Sequence, residues 1–164
     1  MTQEIDIEKY HQLALQKQKE HRKVLANLKK KPPKNLDKIA QEIHDEVFQE
    51  IDCTVCANCC KTLGPDFKEA DITRIAKYFK MKLPAFEAEF LQVDEDGDKV
   101  FKSMPCPFLG GDNLCSIYDV RPKACREFPH TDRKKIYQIN HLTIKNTLTC
   151  PAAYLFVEKL KDRL

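Results

Sequence analysis

Apolar residues recur at helical spacing over the first fifty positions. Ile5, Leu13, Leu25 and Leu28 mark one loosely apolar helix, and Leu36, Ile39, Ala40, Ile43, Val47 and Ile51 mark a better one at i, i+3, i+4, i+7 spacing. Lys31-Pro32-Pro33-Lys34-Asn35 breaks the helix between them, since proline cannot continue one, and Asn35 is placed to cap the second. Gly64-Pro65-Asp66 marks a turn, after which residues 66–80 predict a third helix through Phe67, Ala70, Ile75, Ala76 and Phe79. Pro84 starts a short fourth, ending near Gln92. Asp94-Glu95-Asp96-Gly97-Asp98 has half the look of a calcium loop but lacks a bidentate glutamate at the required offset, so a hairpin turn between Leu91-Gln92-Val93 and Val100-Phe101 is expected. From residue 103 to 135 turn residues and cysteines alternate without a helical period, leaving room for two short strands. The chain closes in a helix from about Pro151 through Leu155, Val157 and Leu160.

Charge refines this picture at the amino-terminal end. Residues 1–34 carry nine Lys/Arg against four Asp/Glu, while residues 35–52 carry one lysine against six acids, so two opposite blocks nearly cancel. A basic helix followed by an acidic one suggests an antiparallel hairpin held partly by complementary charge, and a surface for a protein partner. The overall net charge of +3 is too small to argue for nucleic acid, and no aromatic residues are interleaved with the lysines for base stacking. Nucleic acid is therefore not expected as a partner. Met1 to Tyr10 is polar and charged with no apolar signal-peptide core, and no stretch is long and apolar enough to span a membrane, so a cytoplasmic location is expected.

The chemistry lies in eight cysteines between Cys53 and Cys150, four of them within Cys53-Thr54-Val55-Cys56-Ala57-Asn58-Cys59-Cys60. Thiolates three residues apart on a tight turn can converge on one soft cation. The candidate ligands are Cys53, Cys56, Cys59, Cys60, Cys106, Cys115, Cys125 and Cys150. Structural zinc takes four ligands and a cubane iron-sulfur cluster usually takes four cysteines, so eight thiols permit one or two centres. Neighbouring side chains such as Cys59 and Cys60 project in different directions, which points to two metals or two corners of one cluster. Cys150-Pro151 resembles the end of a ferredoxin ligand set, yet the intervening spacing is far longer, so zinc, iron and a 4Fe-4S cluster all stay open as cofactors. A disulfide framework suits a secreted chain better than this one, and a thioredoxin-like pair lacks its strand-helix context.

With 164 residues, four glycines and about a third of its residues charged, the chain is expected to be mainly α. The architecture expected is a helical single domain with an irregular, metal-stabilised cysteine-rich region and at most a short β-hairpin. Residues 1–52 would form a helical hairpin extension and residues 53–164 the cysteine-cluster metal-binding domain.

Taken together, Cys53-x-x-Cys-x-x-Cys-Cys60, Cys106-Pro-Phe-Leu109, Cys115-Ser-Ile-Tyr-Asp-Val-Arg-Pro122, Cys125-Arg-Glu-Phe-Pro129 and Cys150-Pro resemble the YkgJ-type cysteine-cluster family over residues 53–151. Asp71-Ile72-Thr73-Arg74-Ile75-Ala76 fits the family's segment after the cluster. The resemblance implies zinc or iron chelation by those eight cysteines. Flagellin lysine methylases are similar in bearing this cluster, which gives an alternative as a redox or protein-modifying enzyme or its accessory module. The sequence has no glycine-rich cofactor loop, no Cys-x-x-x-Cys-x-x-Cys triplet, no Gly-x-Ser-x-Gly and no His-Glu-x-x-His, so no catalytic residue is assigned.

Four thiolates on one divalent ion leave a negative site that nearby cations stabilise. Arg121 and Arg126, which bracket Cys125, are candidate hydrogen-bond donors behind the sulfurs or the loop carbonyls. His130 is read as a surface histidine rather than a ligand. Tyr118, Phe108 and Phe128 are expected to pack against the metal and exclude water.

Overall fold

A computed structural model describes residues 4–164, so Met1 to Gln3 of the polar opening lie outside the described residues. The protein is mainly helical, with helices α1 (Ile7–Lys30), α2 (Leu36–Glu50), α3 (Cys53–Cys56), α4 (Asn58–Thr62), α5 (Glu69–Tyr78), α6 (Leu83–Phe90), α7 (Lys123–Glu127), α8 (Asn140–Thr147) and α9 (Pro151–Arg163). A small antiparallel sheet is formed by β1 (Asp66–Phe67), β2 (Leu91–Val93) and β3 (Lys99–Phe101), with β3 in the middle. The chain divides into two compact units, one made from the described part of Met1–Cys56 with Pro129–Leu164, the other from Ala57–Phe128.

The first unit is built on α9. Its residues Ala152, Phe156, Val157 and Leu160 are buried, as expected of an apolar stripe, and α1, α2 and α8 all pack against that helix. Leu25 and Leu28 of α1 and Leu36, Ala40, Ile43 and Val47 of α2 fill the same core. Complementary charge works differently from the expected helical hairpin. Besides Lys38 with Glu42 inside α2, its acids pair with α9, where Lys159 meets Glu50 at 2.9 Å and Arg163 meets Glu42 and Glu46. The reason is that α9 lies along both helices and presents its own lysines and arginine to the acids. Asn35 does sit at the start of α2, but its side chain makes no capping hydrogen bond. On α1, His21 is fully buried and its Nε2 bonds Glu158 of α9 at 2.6 Å, while its buried Nδ1 has no hydrogen-bond partner among the described residues.

The second unit has its own smaller core of Phe67, Ile72, Ile75, Ala76, Phe86, Leu91, Phe101, Phe108 and Ile117. Phe108 is its aromatic hub, with ring centroids 5.2 Å from Phe79, 5.0 Å from Phe90 and 5.7 Å from Phe101. The expected hairpin is present. Gln92 pairs with Val100, Asp94 accepts hydrogen bonds from the backbone N–H groups of Asp96 and Asp98, and Gly97 takes a positive φ of 84° that suits glycine. Phe67 belongs to β1 rather than to the third helix, which begins later, at Glu69. Pairing of Asp66 with Val100 explains the shift, because the extended backbone gains a partner strand there.

Candidate metal centre

The cysteine-rich stretch starts on α3, a single turn opened by Asp52. Its carboxylate accepts from the N–H of Thr54 at 2.8 Å and from the Thr54 hydroxyl at 2.6 Å, and its carbonyl accepts from the N–H of Cys56 at 3.0 Å. Cys53 and Cys56 therefore sit at the two ends of one turn. The helix cannot run on, because Ala57 adopts a left-handed conformation with φ 47°. A new turn, α4, then carries Cys59 and Cys60. Gly64 ends that segment with φ 66°, and a Cβ there would meet the Met104 sulfur at 2.9 Å.

Within residues 57–128, three further segments bring cysteines toward Cys60. The carbonyl of Cys60 accepts from the N–H of Cys106 at 2.8 Å. From Cys106 the chain makes a tight knuckle to Cys115. The N–H of Leu109 donates to the Cys106 carbonyl, Gly110 N–H donates to the Leu114 carbonyl at 2.8 Å, and Leu109 bridges to Cys115. The N–H and hydroxyl of Ser116 both donate to the Phe108 carbonyl at 2.9 Å, which ties the knuckle to the aromatic hub. Cys125 lies on α7 and is delivered by a bracket on α5. Asp71, 2% exposed, accepts from Arg74 Nη2 at 2.8 Å and from the Lys123 N–H at 3.0 Å. Arg74 in turn donates to the carbonyls of Val120 and Arg121 at 3.1 and 2.8 Å. Burial works to raise the Asp71 carboxyl, but these bonds and the N–H of Lys68 outweigh it and hold the group below its usual range.

The electrostatics of these thiols follow their surroundings. A hydrogen bond from Cys59, opposed by burial and helped by Lys61, lowers Cys60 to about 7. Burial raises Cys106, and the charges of Cys60 and Cys115 add to the rise. Cys115 is raised by burial and by Cys60, with Arg121 opposing. Cys125 is pushed up to about 12, first by the desolvating bulk of surrounding protein and then by Cys60, Cys106 and Cys115. Its residue surface is nonetheless exposed, so solvent reaches it. In the other unit, Cys150 is also pushed up to about 12, by burial first and then by Cys53 and Cys56, against the N–H groups of Ala152 and Ala153 at the start of α9. Each group of thiols thus resists becoming several bare thiolates at once. A divalent cation removes that repulsion, which is the fit expected of a metal site.

Cys60, Cys106, Cys115, Cys125 and Cys150 are free thiols. Among the described residues no three His, Cys, Asp or Glu side chains are drawn together tightly enough to grip an ion as they stand. The donor set itself is one of soft thiolates, suited to zinc and iron. Four of them on one ion are sufficient without histidine; His130 is half-buried in a left-handed backbone with φ 64°.

The other sequence-derived positions divide. Arg121 lies 3.8 Å over the Tyr118 ring and donates to the Tyr118 carbonyl at 2.6 Å, while its charge favours the thiolates of Cys115 and Cys125. Arg126 is exposed. Phe108 is buried as expected and Phe128 half-buried, but Tyr118 is 57% exposed and serves as a platform for Arg121 rather than as a water barrier. The Asp71–Arg74 bracket was not assigned a role from sequence. Its one local signal is an aspartate at the third helical position, which bonds back to the Lys68 N–H at 3.0 Å.

No helix among the described residues is long and apolar enough to cross a membrane. Comparison with curated proteins and with solved structures finds no match. A family model does match, over residues 52–151, and is described as a putative zinc- or iron-chelating domain. That match takes in all eight cysteines and more than half of the chain, and the chain belongs to the CxxCxxCC family.

Proposed function

We propose that this protein binds a transition metal, zinc or iron, through Cys53, Cys56, Cys59, Cys60, Cys106, Cys115, Cys125 and Cys150. The observation that carries the reading is the family match over residues 52–151, which takes in all eight cysteines, together with their grouping, in which several raise each other's proton affinity. A bound cation takes the place of the thiol protons, which pass to solvent far more readily than when the thiols ionise alone. A bound metal supplies a positive centre that neutralises the thiolates and cross-links the loops carrying them. Arg121 supports the same state by placing a guanidinium beside Cys115 and Cys125, and Arg126 is assigned the same supporting role.

A metal site built from thiolates suits a reducing compartment, in keeping with the cytoplasm. A protein partner would meet the charged outer faces of α1 and α2, since their apolar faces are used within their own unit.

Metal and acid-labile sulfide content of anaerobically purified protein tests the reading. Zinc without sulfide establishes a structural or zinc-handling site, and iron with sulfide a cluster of the 4Fe-4S type. Protein that retains neither metal, and takes up neither on reconstitution, sinks it.

A further inference from the structure

Two metal centres, with the cysteines partitioned between them, follow from how the thiols are delivered. We infer that Cys60, Cys106, Cys115 and Cys125 hold one metal centre, complete within residues 57–128, and that Cys53, Cys56 and Cys150 belong to a second. The inference rests on the metal-binding reading above and goes further by saying which thiols share a metal.

Backbone geometry supports the first set. The Cys60 carbonyl is bonded to the Cys106 amide at 2.8 Å, so these residues are held side by side by main chain alone. Cys106 and Cys115 are the two ends of one knuckle, closed by the Leu109–Cys115 bridge and the Gly110–Leu114 bond. Cys125 follows Cys115 by ten residues, and the intervening backbone is pinned at Val120, Arg121 and Lys123 by Arg74 and Asp71. Each of the three connections is an observed set of hydrogen bonds inside one compact unit. Four thiolates fill the shell of zinc or mononuclear iron, or cap the four irons of a cubane, and need no fifth donor.

The second set is separated by local chain geometry. Cys53 and Cys56 close one helical turn, and the left-handed Ala57 ends it before Cys60 is reached. Cys60 therefore cannot continue the face of the turn that carries Cys53 and Cys56. Cys150 sits at the start of α9 in the same compact unit as Cys53 and Cys56, and the Lys159–Glu50 and Arg163–Glu46 pairs run α9 antiparallel to α2, so the start of α9 lies toward the end of α2 that Cys53 and Cys56 follow. The Cys59 thiol bonds that of Cys60, so adjacency does not drive the two apart, and Cys59 lies between the turn of Cys53 and Cys56 and the Cys60 set. Cys59 is left outside the assignment.

The test uses the full-length chain and cadmium, a thiolate-seeking spectroscopic stand-in for zinc. The metal-free protein is titrated with cadmium-113 and followed by cadmium NMR, for wild type and for Cys106→Ser and Cys150→Ser. Two resonances are expected in the wild type; Cys106→Ser should shift or remove only one and Cys150→Ser only the other. Alkylation of the partly loaded wild-type chain, with peptide mapping, gives a second reading that requires no variant to fold. Cys60, Cys106, Cys115 and Cys125 should become protected together, and Cys53, Cys56 and Cys150 together, at a different point in the titration. Protection of a mixed group, or one resonance disturbed by both variants, overturns the partition while leaving metal binding intact. No bound cadmium and no protected cysteine overturns the metal-binding reading itself.

Discussion

Asp71 and Arg74, one helical turn apart on α5, meet at 2.8 Å and both reach off their helix to the same stretch of backbone. Asp71 takes the Lys123 amide while Arg74 donates to the carbonyls of Val120 and Arg121. The pair thereby sets the path of the chain into Cys125. Asp71→Ala leaves a guanidinium and two amides without their acceptor, at a cost of about 2–4 kcal/mol. Urea denaturation of the metal-free chain should show that loss, and Asp71→Asn, which keeps an acceptor oxygen, should lose less. An unchanged midpoint in both variants would mean that the pair does not hold the segment.

Phe108 joins the aromatic cluster to the Cys106–Cys115 knuckle. Its ring contacts three others, and its carbonyl accepts both bonds from Ser116. Truncation to alanine should cost about 3–5 kcal/mol, with Phe108→Leu losing clearly less. Thermal melts of the two variants, with metal content measured alongside, check whether the loss of packing also weakens retention.

Glu158 supplies a pH dependence with a definite sign. Burial raises its carboxyl, but hydrogen bonds from His21 and Lys161 more than reverse this and hold it below the usual carboxylate value. A carboxyl with a lowered folded-state value contributes stability above its ordinary titration range. That contribution disappears as the pH falls through the lowered value. Urea midpoints of the metal-free protein across the acid range should fall less steeply for Glu158→Gln than for the wild type. Parallel curves would assign the acid sensitivity to other groups.

Ala57 is a conformational compromise. A left-handed backbone costs an L-residue about 1–2 kcal/mol, which glycine would relieve. The buried methyl group is worth about 0.8 kcal/mol, and glycine adds about 0.5–1 kcal/mol of unfolded-state freedom. These effects nearly offset, so Ala57→Gly should be within about 1 kcal/mol of wild type. A β-branched side chain has no such relief, and Ala57→Val should lose about 1–3 kcal/mol. Paired urea curves decide it, and equal stability of the two variants would contradict the argument.

Metal removal should be felt unevenly along the chain. The knuckle is an irregular loop and α7 is only five residues long, whereas α1, α2 and α9 rest on a continuous apolar core. Hydrogen exchange after chelation should therefore rise most between Cys106 and Cys125 and least along α9. A uniform rise would mean that the helices depend on the metal as much as the loops do.

Periodicity reveals α2, α5 and α9 because their buried faces repeat, Pro84 marks the start of α6, and Asp94 with Gly97 gives away the hairpin. The helix α8 is hidden for the opposite reason. Asn140, Thr143, Ile144, Asn146 and Thr147 are weak helix formers, and the helix stands because Thr143, Ile144, Asn146 and Thr147 are buried against neighbours. Cysteine identity and spacing expose the donors, since a thiol declares its chemistry by type. Their grouping depends on a left-handed alanine and on Arg74 reaching backbone some 46 residues away, and neither leaves a local pattern.

The assembly of the first unit from two distant stretches has a consequence for synthesis. As the chain leaves the ribosome, residues 57–128 emerge uninterrupted and can collapse around Phe108 while α9 is still untranslated. α1 and α2 must wait, their apolar stripes uncovered, until Pro151–Arg163 arrives to receive them. Cys53 and Cys56 wait with them for Cys150, so in a growing cell the Cys60, Cys106, Cys115 and Cys125 set would be ready for metal first.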